Sequence, residues 1–295
     1  MCAECFIDDI KSRVLNEVRK YHMFNYNDRL LLALSGGKDS YTLLDTILGI
    51  HEASKLGVIT ISEGIQGYSR DEDVVWIMSR CRDLGIDIVR VSFKEAVGYT
   101  LFELVNMSKV SDIDVSPCTF CGMIRRRIIN RYARELGYDR VLTAHNLDDE
   151  SQTAFINILR ADLSRLIQSH PGGPKLSDLF VRRVKPLRKV YEWESALYAY
   201  LKGFKFQEAE CPYITTEPTL RAKVRDYFRR LEALEPGVLL RFLNFIDDLV
   251  SKFIDESLKI PSLPLCKLCG EPTAHNRSIC KTCELLIKVG VMRWA

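Results

Sequence analysis

Apolar positions recur along this chain with two periods. Between residues 8 and about 22, Ile10, Val14, Val18 and Tyr21 punctuate a charged background at helical spacing. Asp28 and Arg29 then lead into Leu30-Leu31-Leu32-Ala33-Leu34, an unbroken apolar run that predicts a buried strand. Helical spacing returns with Leu43, Leu44, Ile47 and Leu48, so the turn Ser35-Gly36-Gly37-Lys38-Asp39-Ser40 joins a strand to a helix.

The alternation repeats. Strands are predicted at 57–61, 86–91 and 140–144. Helices are predicted at 70–84 (with Val74, Met78 and the core-type Cys81 on one face), 94–107, 122–136 and 148–159. The helix at 122–136 is basic and follows Cys118-Thr119-Phe120-Cys121. Strands alternating with helices predict an α/β fold, a mostly parallel sheet with helices on both faces. Right-handed crossovers then gather the strand ends, and with them the site, on one edge. Ser169-His170-Pro171-Gly172-Gly173-Pro174 reads as a loop, Pro186 opens a further short element, and 192–201 is helical. Two amphipathic stretches, 219–234 and 237–258, flank Pro236-Gly237; Pro261 and Pro264 close the helical region ahead of a small cysteine-bearing segment.

Composition narrows the class. The chain has 295 residues, of which 47% are apolar, enough for a core and too many for a disordered chain. No apolar run is long enough to span a bilayer and no signal segment opens the sequence, which gives the expectation of a soluble, cytoplasmic protein with no membrane partner. The net charge of +3 is uninformative, but basic residues cluster at Arg125, Arg126, Arg127, Arg131 and Arg134, at Arg182, Arg183, Lys185, Arg188 and Lys189, and at Arg221, Lys223, Arg225, Arg229 and Arg230. Each cluster is either a phosphate-facing patch or a solvated helix face.

Three groups of residues carry candidate chemistry. A strand, a Gly-Gly turn and a helix offer backbone amides to an anion; Lys38 adds charge, Ser35 and Ser40 add hydroxyls, and Asp39 can help hold Mg²⁺. The spacing is not the Walker pattern. The second group, Ala144-His145-Asn146-Leu147-Asp148-Asp149-Glu150-Ser151-Gln152-Thr153, lies at a strand end. There Asp148 or Asp149 can assist Mg²⁺ or activate a reacting group, or simply complement a helix dipole.

The ten cysteines form the third group. Cys266-x2-Cys269-x10-Cys280-x2-Cys283 has the spacing of a closed structural Zn²⁺ site. Cys2-x2-Cys5 is half of such a site, and its metal is left open. Cys118, Cys121 and Cys211 are, on spacing alone, either buried or redox-active thiols or a metal set.

The word from Ser35 to Ser40 resembles the pyrophosphate-binding loop of the PP-loop ATPases. With the word from Ala144 to Thr153, Cys118-Thr119-Phe120-Cys121-Gly122 and the terminal cysteine quartet, it resembles the tRNA 2-thiouridine synthetase family, which includes archaeal and eukaryotic wobble-uridine and T-loop-uridine thiolases. The resemblance runs from the first residues to about residue 286 and departs from the usual wording at Ser151, where the family has Ala.

That resemblance implies a PP-loop, adenine nucleotide alpha hydrolase-like core. It divides the chain into 1–24 (half a zinc finger and a helix), 25–215 (catalytic core), 216–260 (helical extension) and 261–295 (zinc module). It implies ATP contacts from Ser35, Gly36, Gly37, Lys38, Asp39, Ser40 and His145, and catalytic roles for Lys38, Asp39, Asp148 and Asp149. It further implies that Cys118, Cys121 and Cys211 ligate a (4Fe-4S) cluster with one iron left without a protein ligand. The activity implied is adenylation of a tRNA uridine at its C2 oxygen, followed by attack of sulfur and loss of AMP. Sulfur comes from a ubiquitin-like carrier protein or from free sulfide, and the active form is a homodimer. The competing readings are an amidating or lysidine-forming PP-loop synthetase, and a zinc-containing tRNA-binding protein without catalysis.

Overall fold

The computed structural model describes residues 1–206, 210–216, 219–254 and 262–292. In chain order the elements are α1 (Ala3–Lys20), β1 (Leu30–Ala33), α2 (Lys38–Leu48), β2 (Leu56–Ser62), α3 (Asp71–Asp83), β3 (Asp87–Ser92), α4 (Phe93–Val97), α5 (Leu101–Val110), α6 (Pro117–Glu135), β4 (Arg140–Thr143), α7 (Leu147–Leu159), α8 (Leu163–Ser169), β5 (Arg182–Val184), α9 (Glu192–Leu201), α10 (Pro212–Thr216), α11 (Leu220–Leu234), α12 (Val238–Ile254) and α13 (Lys281–Lys288). The expected continuation of α12 to residue 258, and Pro261, lie outside the described residues.

Among the described residues five strands form one parallel sheet, in the order β3-β2-β1-β4-β5. The apolar run of β1 is central because both its faces are covered. Leu30 and Leu32 belong to one core with Val58, Leu142, Ile10, Leu43, Ile77, Cys81 and Tyr198. Leu31, between them, belongs to the opposite core with Ile59, Val141, Leu104, Ile124 and Leu286. The period-two geometry of a strand thus sorts consecutive leucines into two layers. Helices α1, α2, α3 and α9 cover one face; α4, α5, α6 and α13 cover the other. The chain builds outward from β1 through β2 to β3, then crosses back to β4 beside β1. The adjacent carboxyl ends of β1 and β4 are therefore the switch point at which such sheets open a crevice.

Four local expectations are corrected. The helix expected from residue 122 starts at Pro117, whose missing amide suits a first helical position, so Cys118 and Cys121 lie in its first turn. The helix expected at 94–107 is two helices: α4 ends at Gly98 in the left-handed conformation, and a Thr100–Glu103 capping box restarts the chain as α5. Strand β5 was not anticipated, because two of its three residues are arginines and only Val184 is buried. The element expected at Pro186 is a turn over 186–189.

The basic cluster at 182–189 is largely internal. Arg188 is 1% exposed. It donates to Asp247 at 2.8 and 2.5 Å and to Glu17 at 3.1 Å. Lys189 Nζ lies 2.8 Å from Asp247 Oδ2, Lys185 Nζ donates to Glu150 at 2.7 Å, and Arg182 donates to the carbonyls of Pro171 and Gly173. These charges fasten α12 and α1 to the turn before α9; of the five residues, Arg183 is exposed and pairs with no described carboxylate.

Candidate active site

The turn after β1 is held in shape by its own serines. Ser35 N donates to Ser40 Oγ at 2.9 Å, and the two hydroxyls lie 3.2 Å apart. Gly36 has φ +88, and a Cβ there would come within 2.8 Å of Asp73 Cβ, so a side chain is excluded by conformation and by space. Gly37 starts α2 without any side-chain cap among the described residues. The first-turn amides of an 11-residue helix therefore face the crevice, a ready anion site.

Lys38, Asp39 and the turn after β4 meet there. Lys38 Nζ lies 3.1 Å from Asp39 Oδ2 and 3.2 Å from Glu192 Oε1. Burial opposes the Lys38 charge, yet Asp39 and Glu192 outweigh it and hold the ammonium above its ordinary range. Asn146 Nδ2 donates to Asp39 Oδ1 at 3.2 Å, and the same side chain caps α7 by accepting from Asp149 N at 3.0 Å. Asp148 Oδ2 accepts from Glu192 N at 2.8 Å.

The Asp149 carboxyl is 39% exposed, but the surrounding protein desolvates it and pushes it up to about 6. Arg221 opposes the shift, and the nearby charges of Asp39 and Glu150 add to it. Burial likewise raises Asp148; the Glu192 amide that it accepts from opposes the shift, and the Glu192 carboxylate adds to it. Asp39 and Asp149 thus present two mutually repelling carboxylates to one space, a donor set suited to a hard divalent cation. His145 is pushed down to about 4 by burial and then by Lys185, so it is neutral near pH 7; Nδ1 lies 2.8 Å from Thr143 Oγ1.

The first turn of α6 sets Cys118 and Cys121 three residues apart on one side of the helix. Cys211, just before α10, joins them from far along the chain. Burial pushes the Cys121 thiol up to about 11; Arg125 opposes this, and Glu63, Cys118 and Cys211 add to it. Arg125 Nη2 donates to Cys121 Sγ at 3.3 Å and pairs with Glu63, just past the end of β2. The three sulfurs do not close to within 4.8 Å of one another, as the terminal quartet does.

Cys266, Cys269, Cys280 and Cys283 have all four sulfurs within 4.8 Å of one another, which fits one tetrahedral metal ion. Burial opposes ionisation of Cys266, but backbone amides led by Cys280 hold its thiol down to about 6. The module is docked on α6. Leu285, Leu286 and Val289 enter the same core as Ile124 and Ile128, Arg134 pairs with Glu271 at 2.7 Å, and Arg127 Nη1 lies 3.8 Å from Cys283 Sγ. Cys2 and Cys5 form the exposed first turn of α1, with Cys5 N donating to Cys2 Sγ at 3.4 Å. Among the described residues no third ligand joins them.

Arg126 and Arg183 form no ion pair among the described residues. Both are exposed by accessible area, yet the surrounding protein partly desolvates them and lowers both; Arg125, Arg165 and Arg221 further lower Arg126 and Arg126 further lowers Arg183, while Cys121 and Glu150 oppose the two shifts. Close to them lie Arg165 of α8 and Arg221 of α11, which pair with Asp162 at 3.2 Å and with Asp149 at 3.8 Å. Arg221 donates to Thr153 Oγ1 at 2.7 Å and Arg225 to Glu210 at 3.0 Å. Sequence reasoning does not find Asn146 as the link to Asp39, or Glu192 as the partner of Lys38 and of Arg229, which it places only in a basic cluster. Glu192 and Arg229 fall in segments whose helical pattern is legible but whose neighbours are not.

A family model described as a PP-loop domain matches residues 9–225. The chain is 33% identical to a probable sulfurtransferase of Methanocaldococcus jannaschii, over 98% of this chain and 82% of that protein. It is 32% identical to the cytoplasmic tRNA 2-thiolation protein 1 of Chlamydomonas reinhardtii, over 97% and 78%. Among solved structures, the U34-tRNA thiolase NcsA from Methanococcus maripaludis, determined with its (4Fe-4S) cluster, matches with a TM-score of 0.75 and 31% identity, covering 99% of this chain and 91% of that one.

Proposed function

The chain belongs to the PP-loop family, alongside the tRNA 2-thiolation proteins, and from that premise we propose that it is an ATP-dependent, cytoplasmic tRNA uridine 2-sulfurtransferase acting on the wobble uridine. The observation that carries the proposal is the meeting of the uncapped α2 terminus, Lys38 and the Asp39–Asn146–Asp149 cluster at the β1/β4 switch point. Whole-chain similarity to a U34-tRNA thiolase supports the choice of uridine.

The α2 amides, Ser35, Ser40 and Lys38 bind the ATP phosphates and stabilise the charge that builds as pyrophosphate leaves. Asp39 and Asp149 would hold Mg²⁺, which would offset phosphate charge. The uridine C2 oxygen attacks the α-phosphate, the α–β phosphoanhydride bond breaks, and pyrophosphate departs. Sulfide then forms a bond to C2 and the C2–oxygen bond breaks, expelling AMP. His145, neutral and half-buried at the β4 end, would contact the bound nucleotide without adding charge.

Cys118, Cys121 and Cys211 would hold a (4Fe-4S) cluster, and three thiolates would leave one iron without a protein ligand to bind the sulfur that is transferred. Arg125 is anchored by Glu63 and donates to Cys121, so it fixes the orientation of that ligand. The terminal quartet would hold Zn²⁺ and so brace the module that packs on α6. The guanidinium groups of Arg126, Arg183 and Arg221 take tRNA phosphates and orient the anticodon arm, whose target base leaves its stack. We further assign a ubiquitin-like carrier or free sulfide as sulfur source and a homodimer as the working form.

The test is nucleotide analysis with reduced protein, Mg²⁺, ATP and unmodified tRNA, in parallel reactions supplied with sulfide or with ammonium. AMP and pyrophosphate in equal amounts, dependent on tRNA, are expected. ADP and phosphate would reject α-phosphate chemistry. AMP formation with incorporation of an amine instead of sulfur would move the protein to the amidating synthetases.

A further inference from the structure

Glu192 lies between the phosphate loop and the helical extension. Its Oε1 accepts from Lys38 Nζ at 3.2 Å, its Oε2 accepts from Arg229 Nη2 at 3.1 Å, and its amide donates to Asp148 Oδ2 at 2.8 Å. The three side chains, with Asp148, Tyr191 and Trp193, line a cavity of about 420 Å³ opening beside Lys38. Lys38 is thus held by carboxylates on two elements, Asp39 on its own helix and Glu192 on α9.

We infer that Glu192 is a positioning residue for ATP binding: it is the counter-ion that Lys38 leaves when phosphate arrives, and Arg229 sets how readily it lets go. The inference rests on the reading that the loop binds ATP. When phosphate draws the ammonium away, Glu192 keeps its charge in a half-buried place with the Asp148 carboxylate close by. Arg229 is the cation that remains to offset that charge. Without Arg229, Glu192 holds Lys38 harder and phosphate competes less well. Without the Glu192 charge, Lys38 keeps its pair with Asp39 alone, and Arg229 has nothing to act through.

The geometry therefore predicts a non-additive cycle, which two independent long-range charges would not give. The experiment titrates the full-length protein with α,β-methylene-ATP and Mg²⁺, without tRNA. Glu192→Gln is expected to tighten binding and Arg229→Ala to weaken it, each by about threefold to fivefold, the range of a half-exposed ion pair. Arg229→Lys keeps the cation and stays near the unmodified protein. The double variant Glu192→Gln/Arg229→Ala binds like Glu192→Gln alone. Additive effects in the double variant, or unchanged affinity in Glu192→Gln, overturn the inference and leave the ATP reading standing. No binding to the unmodified protein sinks that reading and the inference with it.

Discussion

Asn146 Nδ2 donates to Asp39 Oδ1 at 3.2 Å across a sequence separation of 107 residues. This bond joins the turn after β1 to the turn after β4. Because Asn146 also caps α7, the position of Asp149 follows from the position of Asp39. The two acidic words are therefore one site, assembled by the parallel pairing of Leu30–Ala33 with Arg140–Thr143.

The arginines of α6 are expected to divide by role. Arg126 and Arg183 lack carboxylate partners among the described residues, whereas Arg127 leans on the Cys283 sulfur. Replacing Arg126 and Arg183 together by Ala should weaken tRNA binding and reduce the slope of log affinity against log salt by about two. Arg127→Ala should leave that slope intact and lower thermal stability instead. Filter binding over a salt series checks both, and an unchanged slope in the double variant would move the RNA surface elsewhere.

The buried His170 should give stability a pH dependence. It sits 3.8 Å from Asp247, edge-on to Tyr21, and close to Arg188, Lys20 and Lys189. Burial, partly opposed by Asp247, pushes it down to about 4 from an ordinary value of 6.5. Above pH 6.5 the imidazole is neutral in both folded and unfolded chains, and nothing is lost. As pH falls from 6.5 through 4, the unfolded chain takes up a proton that the folded chain refuses, and stability declines. The loss is on the order of 3 kcal/mol over that window. His170→Gln should remove this component from urea midpoints measured between pH 4 and 7; parallel curves for the two proteins would contradict it.

The cysteine quartet should unfold with the core rather than separately, since Leu285 and Leu286 are buried against α6. About one zinc per chain is expected. Cys280→Ser should lose it and lower a single thermal transition of the whole protein, and Leu286→Ala should cost about 2–5 kcal/mol. A separate early transition, with the remainder melting as before, would show an independently folded module.

How far the sequence could be read depended on the range of the interactions involved. The run Leu30–Leu34 announced a doubly covered strand because period and burial are local properties, and the Ser35–Ser40 turn followed from it. The quartet at 266–283 was legible because metal-ligand spacing is local too. Strand β5 was hidden because two arginines occupy it, and their reasons for being there, the carbonyls of Pro171 and Gly173 for Arg182 and the crevice for Arg183, are tertiary. Arg188 and Lys189 read as surface charge, since their carboxylate Asp247 lies 59 residues from Arg188. Glu192 was passed over for the same reason: a first-turn glutamate says nothing about a lysine 154 residues away.

The central claim is sulfur transfer to an activated uridine at Cys118, Cys121 and Cys211. Its most direct test is a single-turnover reaction of anaerobically reconstituted protein with ATP, Mg²⁺, sulfide and unmodified tRNA, followed by mass spectrometry of the digested nucleosides. The account predicts 2-thiouridine at the wobble position, formed by protein carrying about four irons per chain. Replacing any one of the three cysteines by Ser abolishes it while sparing binding of ATP at Ser35–Ser40. Full thiolation by protein shown to contain no iron would contradict the account and favour a persulfide route through Cys121 and Cys211.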